Sequence, residues 1–526
     1  MKFMIILQKQ NKQIKRSRLY TCSVFIRKDF MNIRKYITRY IKDTGSTWYR
    51  PTRRYIRDCK AACKDGLLVY KDGLYSLPEI AEEERQIAVY VAVKLFQSSE
   101  TYPKEIIDLF IRMYEEETHL SLDSVQKEAV YGAINNPIFI LTGGPGTGKT
   151  FTLKCIHYCL SKILQTDDIL FTAPTGNAAR RIEASVSVKA YTVAKALHLH
   201  SDDDIPEKLN NKVVIVDEIS MLDTKTCLAL MRATTDSRLI FVGDVDQLPS
   251  VGYGSILRDL IDAGIKYVRL EKTFRQADES GLVANIERIK NGLYLGFVKR
   301  DDFKVFNVSD TNAAKDAMLE AYLMAANEYG RDQVVCLTPY RKKGNACAIQ
   351  MNRLLQETLN PLIDQNYVRY HVTEDDFGYD LEIREKDPVL QLINTDIVSN
   401  GDIGTVKCID TKKETVTVKY SDVTVTYHKW QLGQITLAYA MTVHKSQGAE
   451  YACVITSAIE DDLEMLSRNT IYTAVTRAKQ KCIIITQKGI AEKACKRELS
   501  YERTTLLSQE IEKQRIRLDL TAKLCI

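Results

Sequence analysis

The run Ile138-Phe139-Ile140-Leu141-Thr142-Gly143-Gly144-Pro145-Gly146-Thr147-Gly148-Lys149-Thr150-Phe151 passes from an apolar strand through a glycine loop into a helix start. It fits G-x-x-x-x-G-K-[ST] at every position, with Gly143 and Gly148 bracketing the loop. Glycines are needed here because backbone N–H groups must wrap a polyphosphate at angles that a side chain forbids. The helix, expected to run through Ile163, adds unpaired N–H groups and a positive dipole end. Lys149 then suits the β- and γ-phosphates of a nucleotide, and the Thr150 hydroxyl suits a Mg²⁺ ion.

Further strands end at chemistry-bearing turns. Val213-Val214-Ile215-Val216 ends in Asp217-Glu218, and the active groups of a parallel sheet sit at the carboxyl ends of its strands. Asp217 is therefore expected to hold Mg²⁺ through water, and Glu218 to take a proton from the water attacking a γ-phosphate. The strand 169–173 leads into Pro174-Thr175-Gly176-Asn177-Ala178-Ala179-Arg180-Arg181, and 239–242 leads into Gly243-Asp244-Val245-Asp246-Gln247-Leu248-Pro249. Helical patterns separate these strands, so 121–275 reads as one parallel-sheet lobe. A second alternating set runs from Val334-Val335-Cys336-Leu337 to Cys482-Ile483-Ile484-Ile485-Thr486, assigning 276–395 and 437–490 to a second lobe. Two such lobes suggest a motor with the nucleotide between them.

The ordered set 143–150, 173–181, 217–220, 242–254, Thr273-Phe274-Arg275-Gln276, Thr442-Val443-His444-Lys445-Ser446-Gln447-Gly448-Ala449-Glu450 and Tyr472-Thr473-Ala474-Val475-Thr476-Arg477-Ala478 resembles the motif series of superfamily 1 helicases. The runs 243–254 and 442–448 are similar above all to the RecD-like branch, and the likeness covers about 66–490. It implies an α/β fold of two RecA-like lobes, with an SH3-like β insertion in the second lobe and a small N-terminal domain. It also implies ATP and Mg²⁺ as cofactors, with single-stranded DNA and single-strand/duplex junctions as partners. By the same likeness Gln126 reads the adenine edge, Gln247 senses the γ-phosphate or positions water, and Arg275 and Arg477 reach the phosphates across the cleft. Gly448 and Glu450 lie with the nucleotide. Pro174, Thr175, Arg180, Thr192, Thr338, Thr442, His444 and Lys445 resemble positions that hold the DNA backbone, the contact a sequence-independent motor needs.

Outside the motor, Asn400-Gly401-Asp402-Ile403-Gly404-Thr405-Val406 opens three short alternating strands, so 396–436 reads as a small antiparallel insertion or a simple hairpin. Residues 61–120 read as a small α/β module, winged-helix-like, with an Asp72-Gly73 hairpin turn and a helix over 80–97. Two departures from the family stand out. Ala194 replaces a histidine, and only 201–212 are left for a strand-separating pin. Unwinding is therefore expected to be weaker than translocation.

At 526 residues, with 45% hydrophobic and 27% charged, the chain has the composition of a globular protein of about three or four domains. No apolar run reaches the ~18 residues of a membrane span. Thirteen cysteines include no C-x-x-C pair, and Cys59/Cys63 and Cys155/Cys159 stand one helical turn apart, as small residues on one helix face. This argues for a reducing, cytoplasmic setting.

Residues 1–60 carry 17 Lys and Arg against 3 Asp, whereas the remainder is net negative. Arginines interleaved with Tyr36, Tyr40, Trp48, Tyr49 and Tyr55 suit phosphate contact with base stacking, or else form a solvated basic surface. An arginine-rich start also fits an organelle transit peptide, with Met31 as an alternative start. The charged tail 491–526 reads as helical, and it and the basic extension are the candidate surfaces for a protein partner of a monomeric motor. Two other functions stay open: an RNA-directed helicase of the same superfamily, and a DNA-tethering subunit whose motor is idle.

Overall fold

The computed structural model describes residues 26–97, 100–165, 168–199, 204–273, 280–293, 296–363, 366–374, 377–395, 397–421, 423–497 and 503–524. The strand Ile138–Gly143 lies inside a six-stranded, wholly parallel sheet. Its order is Ala190–Thr192, Ile169–Ala173, Val213–Val216, Arg238–Gly243, Ile138–Gly143, Tyr267–Leu270. Both faces are covered, which is why these strands are apolar throughout rather than alternating. Phe139 and Leu141 point into one core with the helices Ser124–Asn135 and Lys149–Leu164. Ile138 and Ile140 point into the other, with the helices Thr224–Ala233 and Ile256–Asp262. The expected helix after the glycine loop ends one residue later than Ile163. Cys155 and Cys159 are both buried on it, with their sulfurs 3.9 Å apart.

The second lobe is a five-stranded parallel sheet ordered Ala440–Thr442, Val334–Thr338, Tyr451–Ala458, Ala478–Gln487, Phe303–Val308. The edge strand Phe303–Val308 precedes the first strand expected there. Its pattern mixes Lys304 and Asn307 with apolar residues because an edge is only partly covered. The three expected strands of the insertion are present as Ile403–Asp410, Thr415–Lys419 and Thr424–His428. They belong to a five-stranded antiparallel sheet that also takes in Pro388–Gln391, before 396–436, and Ile435–Leu437, which crosses its end. A separate hairpin, Tyr367–Glu374 with Phe377–Arg384, precedes it. Val389, Val406, Val416, Val418 and Tyr427 form the buried side of the five-stranded sheet.

The chain's two ends pack together. Ile33, Ile37 and Ile41 of the helix Ile26–Thr44 share a core with Tyr49, Cys59 and Tyr75. Tyr49 and Tyr75 exchange backbone hydrogen bonds of 2.7 and 2.9 Å, so the division expected at residue 60 falls within one core. The hairpin turns at Asp72 (φ 49°) and Gly73 (φ 83°) as expected, and the helix Pro78–Phe96 follows. Against it lies the C-terminal helix Leu507–Leu524, whose Leu507 and Ile511 join Ile87, Ala88 and Val91 in the first lobe's core. Trp48 and Tyr49, expected as base-stacking platforms, are instead buried. Trp48 Nε1 donates to Glu84 at 2.7 Å, and Tyr36 and Tyr40 pack on Tyr49. Among the described residues no helix is long and apolar enough to cross a membrane.

Candidate nucleotide site and nucleic-acid groove

The glycine loop joins the strand Ile138–Gly143 to the helix Lys149–Leu164, with Gly146 (φ 73°) and Gly148 (φ 86°) in the left-handed region that only glycine enters freely. A Cβ on Gly143 would fall 2.7 Å from the Leu270 carbonyl oxygen. The Lys149 ammonium donates to the Gly143 and Gly144 carbonyls, and the Thr147 hydroxyl donates to Gly144 O at 2.8 Å. Above the loop is a cavity of about 620 Å³ lined by Gly144, Pro145, Gly146, Gly148, Lys149, Thr150 and Phe151. Gln126, Glu218 and Gln247 line it from the first lobe, and Glu450 and Arg477 from the second.

Not every expected residue is there. Gly143, Thr147 and Asp217 do not line the cavity. Gly448 (φ 77°) abuts Thr175 and Ala178, where a Cβ would approach to 3.1 Å, so it serves the contact between lobes rather than the cavity wall. Arg275 falls outside the described residues. Gln126 closes a capping box: Asp123 accepts its N–H, and its Oε1 accepts the Asp123 N–H at 3.0 Å. Its amide therefore meets the cavity with the oxygen already engaged.

Arg181, which the motif reading quoted without a role, sits among the acidic groups. Its Nη2 is 2.9 Å from Glu218 and 3.6 Å from Asp217, and its Nη1 is 3.8 Å from Glu450. Arg180 is one residue, about 100°, further back on the helix Gly176–Val186 and so meets different neighbours. It pairs with Asp402 at 2.5 Å and with Asn177, and so binds the lobe to the insertion instead of facing the groove.

Burial raises the Asp217 carboxyl, while Arg181 opposes that rise. Burial alone would also raise Glu218, but Arg181, Arg477 and Lys149 outweigh it and hold this carboxyl below its usual range. Glu218 is thereby kept ionised, as a proton acceptor must be. The Lys149 ammonium is lowered by burial and supported by Asp244, Glu218 and Asp217. Asp244, also unassigned from sequence, accepts the Tyr472 hydroxyl at 2.9 Å across the lobe interface.

These groups fit a nucleotide with its metal. Gln247 is buried, and its Oε1 has no hydrogen-bond partner among the described residues, so it has an acceptor to offer in the cavity. Mg²⁺ takes one or two protein oxygens plus phosphate oxygens. The Thr150 hydroxyl on the cavity wall and the Asp217 carboxyl, next in the chain to cavity-lining Glu218, would be such a pair, and among the described residues no group of three or more His, Cys, Asp or Glu could hold a metal.

A second cavity, about 770 Å³, opens between the lobes. Pro174, Thr175, Thr442, His444 and Lys445 line it, as expected of a strand-binding groove. The other expected contacts do not. Thr192 is buried as the cap of a short helix, its oxygen accepting the Lys195 N–H at 3.1 Å. Thr338 is buried and donates to Tyr340 O at 2.9 Å. Within the groove, Lys445 Nζ donates to Asn400 Oδ1 at 2.8 Å. Burial and the Arg503 charge push His444 down to about 4, leaving it neutral at physiological pH. Lys42, Arg341, Lys445, Arg497 and Arg503 set five cations against Asp43 and Glu464. Leu248, whose N–H donates to Thr473 Oγ1 at 2.8 Å and whose O accepts from Gln447 at 3.0 Å, lies in the groove directly after cavity-lining Gln247.

Residues 121–306 match an AAA domain family model, and 437–485 match the UvrD-like helicase C-terminal domain. The chain is 31% identical to the ATP-dependent RecD2 DNA helicase of Deinococcus radiodurans, over 71% of this chain and 50% of that protein. It is 27% identical to the RecBCD enzyme subunit RecD of Mycobacterium tuberculosis, over 80% and 77%. The chain thus spans about half the length of the RecD2 relative. Among solved structures, Bacteroides Pif1 bound to ssDNA aligns at 18% identity over 71% of this chain and 94% of that one, with a TM-score of 0.45. By sequence and by the order of its motifs, the chain is similar to RecD-like superfamily 1 helicases.

Proposed function

We propose that the chain is an ATP- and Mg²⁺-dependent motor that moves along single-stranded DNA and separates duplex, in the 5′→3′ direction implied by its resemblance to RecD-like helicases. The observation that carries this reading is the segment 247–251, which contributes Gln247 to the nucleotide cavity and Leu248 to Val251 to the groove. Two adjacent residues thus join the cavities, a route by which a change at one would reach the other. Bound Mg²⁺-ATP supplies a phosphoanhydride bond whose hydrolysis drives the cycle. Glu218 holds the proton of the attacking water, Gln247 orients that water through its unengaged oxygen, and Lys149 and Arg477 offset the charge that develops on the phosphates. Thr175 on one lobe and Thr442 with Lys445 on the other then grip the strand in turn.

Steady-state ATP hydrolysis with poly(dT), poly(U) and duplex DNA tests this, with Lys149→Ala as the blank. Stimulation by poly(dT), lost by about 10³-fold in the variant, is expected. Greater stimulation by poly(U) transfers the reading to RNA, and no stimulated turnover leaves DNA tethering as the function.

A further inference from the structure

One more concentration of positive charge connects directly with the groove. The helix Ile26–Thr44 buries Ile33, Ile37 and Ile41, and its other side exposes Lys35, Arg39 and Lys42. Separated by four and three residues, these three lie on one face over about 10 Å, and Lys42 itself lines the groove. Their charge is little compensated. Lys35 and Lys42 have no ion-pair partner among the described residues, and Arg39 has only exposed Asp43 at 3.5 Å, a pairing of small worth at a surface.

This helix is fixed to the groove wall by the other end of the chain. Arg503 donates to the carbonyls of Ser250 (2.7 Å), Gly252 (3.1 Å) and Gly254 (2.7 Å), and the Gly254 N–H donates to Gly45 O at 2.8 Å. Gly45 has φ +69°, and a Cβ there would fall 2.4 Å from the Arg503 guanidinium carbon. Helix end, C-terminal segment and groove loop are thus locked together. We propose that a nucleic-acid strand leaving the groove continues along the Lys35–Arg39–Lys42 face, so that the joined chain ends form a second backbone-contact surface held in line with the groove by Arg503. The proposal rests on the groove being the strand-binding site, and it adds contacts that read no sequence.

The test uses the full chain with Lys35→Gln and Arg39→Gln combined, leaving groove-lining Lys42 in place, and measures binding of a short (about 8 nt) and a long (about 24 nt) oligo-dT against salt. Loss of about fivefold for the long strand is expected, with the salt slope reduced by about 1.4, from roughly 0.7 per phosphate contact, and with short-strand binding within about twofold of wild type. Gly45→Ala, which keeps every cation but displaces Arg503, is expected to reduce the long-strand advantage as well. Equal loss at both lengths, or no loss for the long strand, overturns the extended surface while Lys445→Gln still weakens both. If Lys445→Gln weakens neither, the groove reading itself fails, and this proposal with it.

Discussion

In the nucleotide cavity cations and carboxylates are packed against one another, Arg181 within 4 Å of Asp217, Glu218 and Glu450. In the groove, cations outnumber carboxylates and are held by amides and backbone carbonyls, as Lys445 is by Asn400 and Arg503 by the 250–254 loop. Phosphoryl transfer needs each charge in one place and one protonation state, and at the cavity the carboxylates Asp217, Glu218 and Glu450 are fixed by the charge of Arg181. A strand sliding through needs only excess positive potential and weak, interchangeable contacts. Removing a single charge should therefore be costly in the first region and mild in the second.

The largest effect is expected at Arg181. Arg181→Ala takes away the leading charge that offsets burial at Glu218, so that carboxyl rises. A base works only when deprotonated, and activity then needs a higher pH. Turnover at neutral pH should fall about 10²–10³-fold, and the acid limb of the pH–rate profile should move upward. Arg181→Lys, which keeps the charge without the fork, should recover most of the profile's position and only part of the rate. A rate loss with an unmoved acid limb would mean that Arg181 merely packs the site.

The same contrast decides what could be read from sequence. The glycine loop and Glu218 were legible because their chemistry demands particular residue types at strand ends, Gln247 and Arg477 only through the likeness of their motifs, and the structure brings Gly144, Lys149, Thr150, Glu218, Gln247 and Arg477 to one cavity. Arg181 was hidden by its neighbour: Arg180 and Arg181 are equivalent in a motif, and only the helix's rotation sends one to Asp402 and the other to Glu218. Threonines were hardest, because a hydroxyl caps helices and turns as readily as it meets a phosphate; Thr192 and Thr338 do the former. Both parallel sheets could be anticipated from continuous apolar runs, whereas the edge strand Phe303–Val308, half exposed, carries too mixed a pattern. The union of the chain's ends was invisible, since nothing local in 26–60 marks a partner more than 400 residues away.

That union contains a charge balanced differently again. Glu84 is fully buried, accepts from Thr47 Oγ1 at 2.5 Å and from Trp48 Nε1, and is pushed up to about 7 by burial against those hydrogen bonds. A carboxyl raised in the folded state contributes stability that is complete below its unfolded value near 4.5 and is lost as pH rises through about 7. Glu84→Gln keeps an acceptor for Trp48 and has no ionisation. Denaturant unfolding should therefore show the variant gaining on wild type between pH 4.5 and 8, by at most about 3 kcal/mol. Parallel stability curves would show that Glu84 stays charged when folded.

The smallest effect belongs to the groove itself. Thr442 presents one hydroxyl, which accepts the Lys445 N–H at 3.4 Å and is otherwise available to a phosphate oxygen. Thr442→Val removes that contact with little change of shape, at a cost of about 1 kcal/mol in strand binding, or roughly fivefold in Kd for oligo-dT. Because no titrating group in the nucleotide cavity loses a partner, the pH–rate profile and the KM for ATP should stay where they are. A shift in either would mean that charge in the two cavities is coupled through the 440–450 segment, and the division between a locked site and a tolerant one would have to be redrawn there.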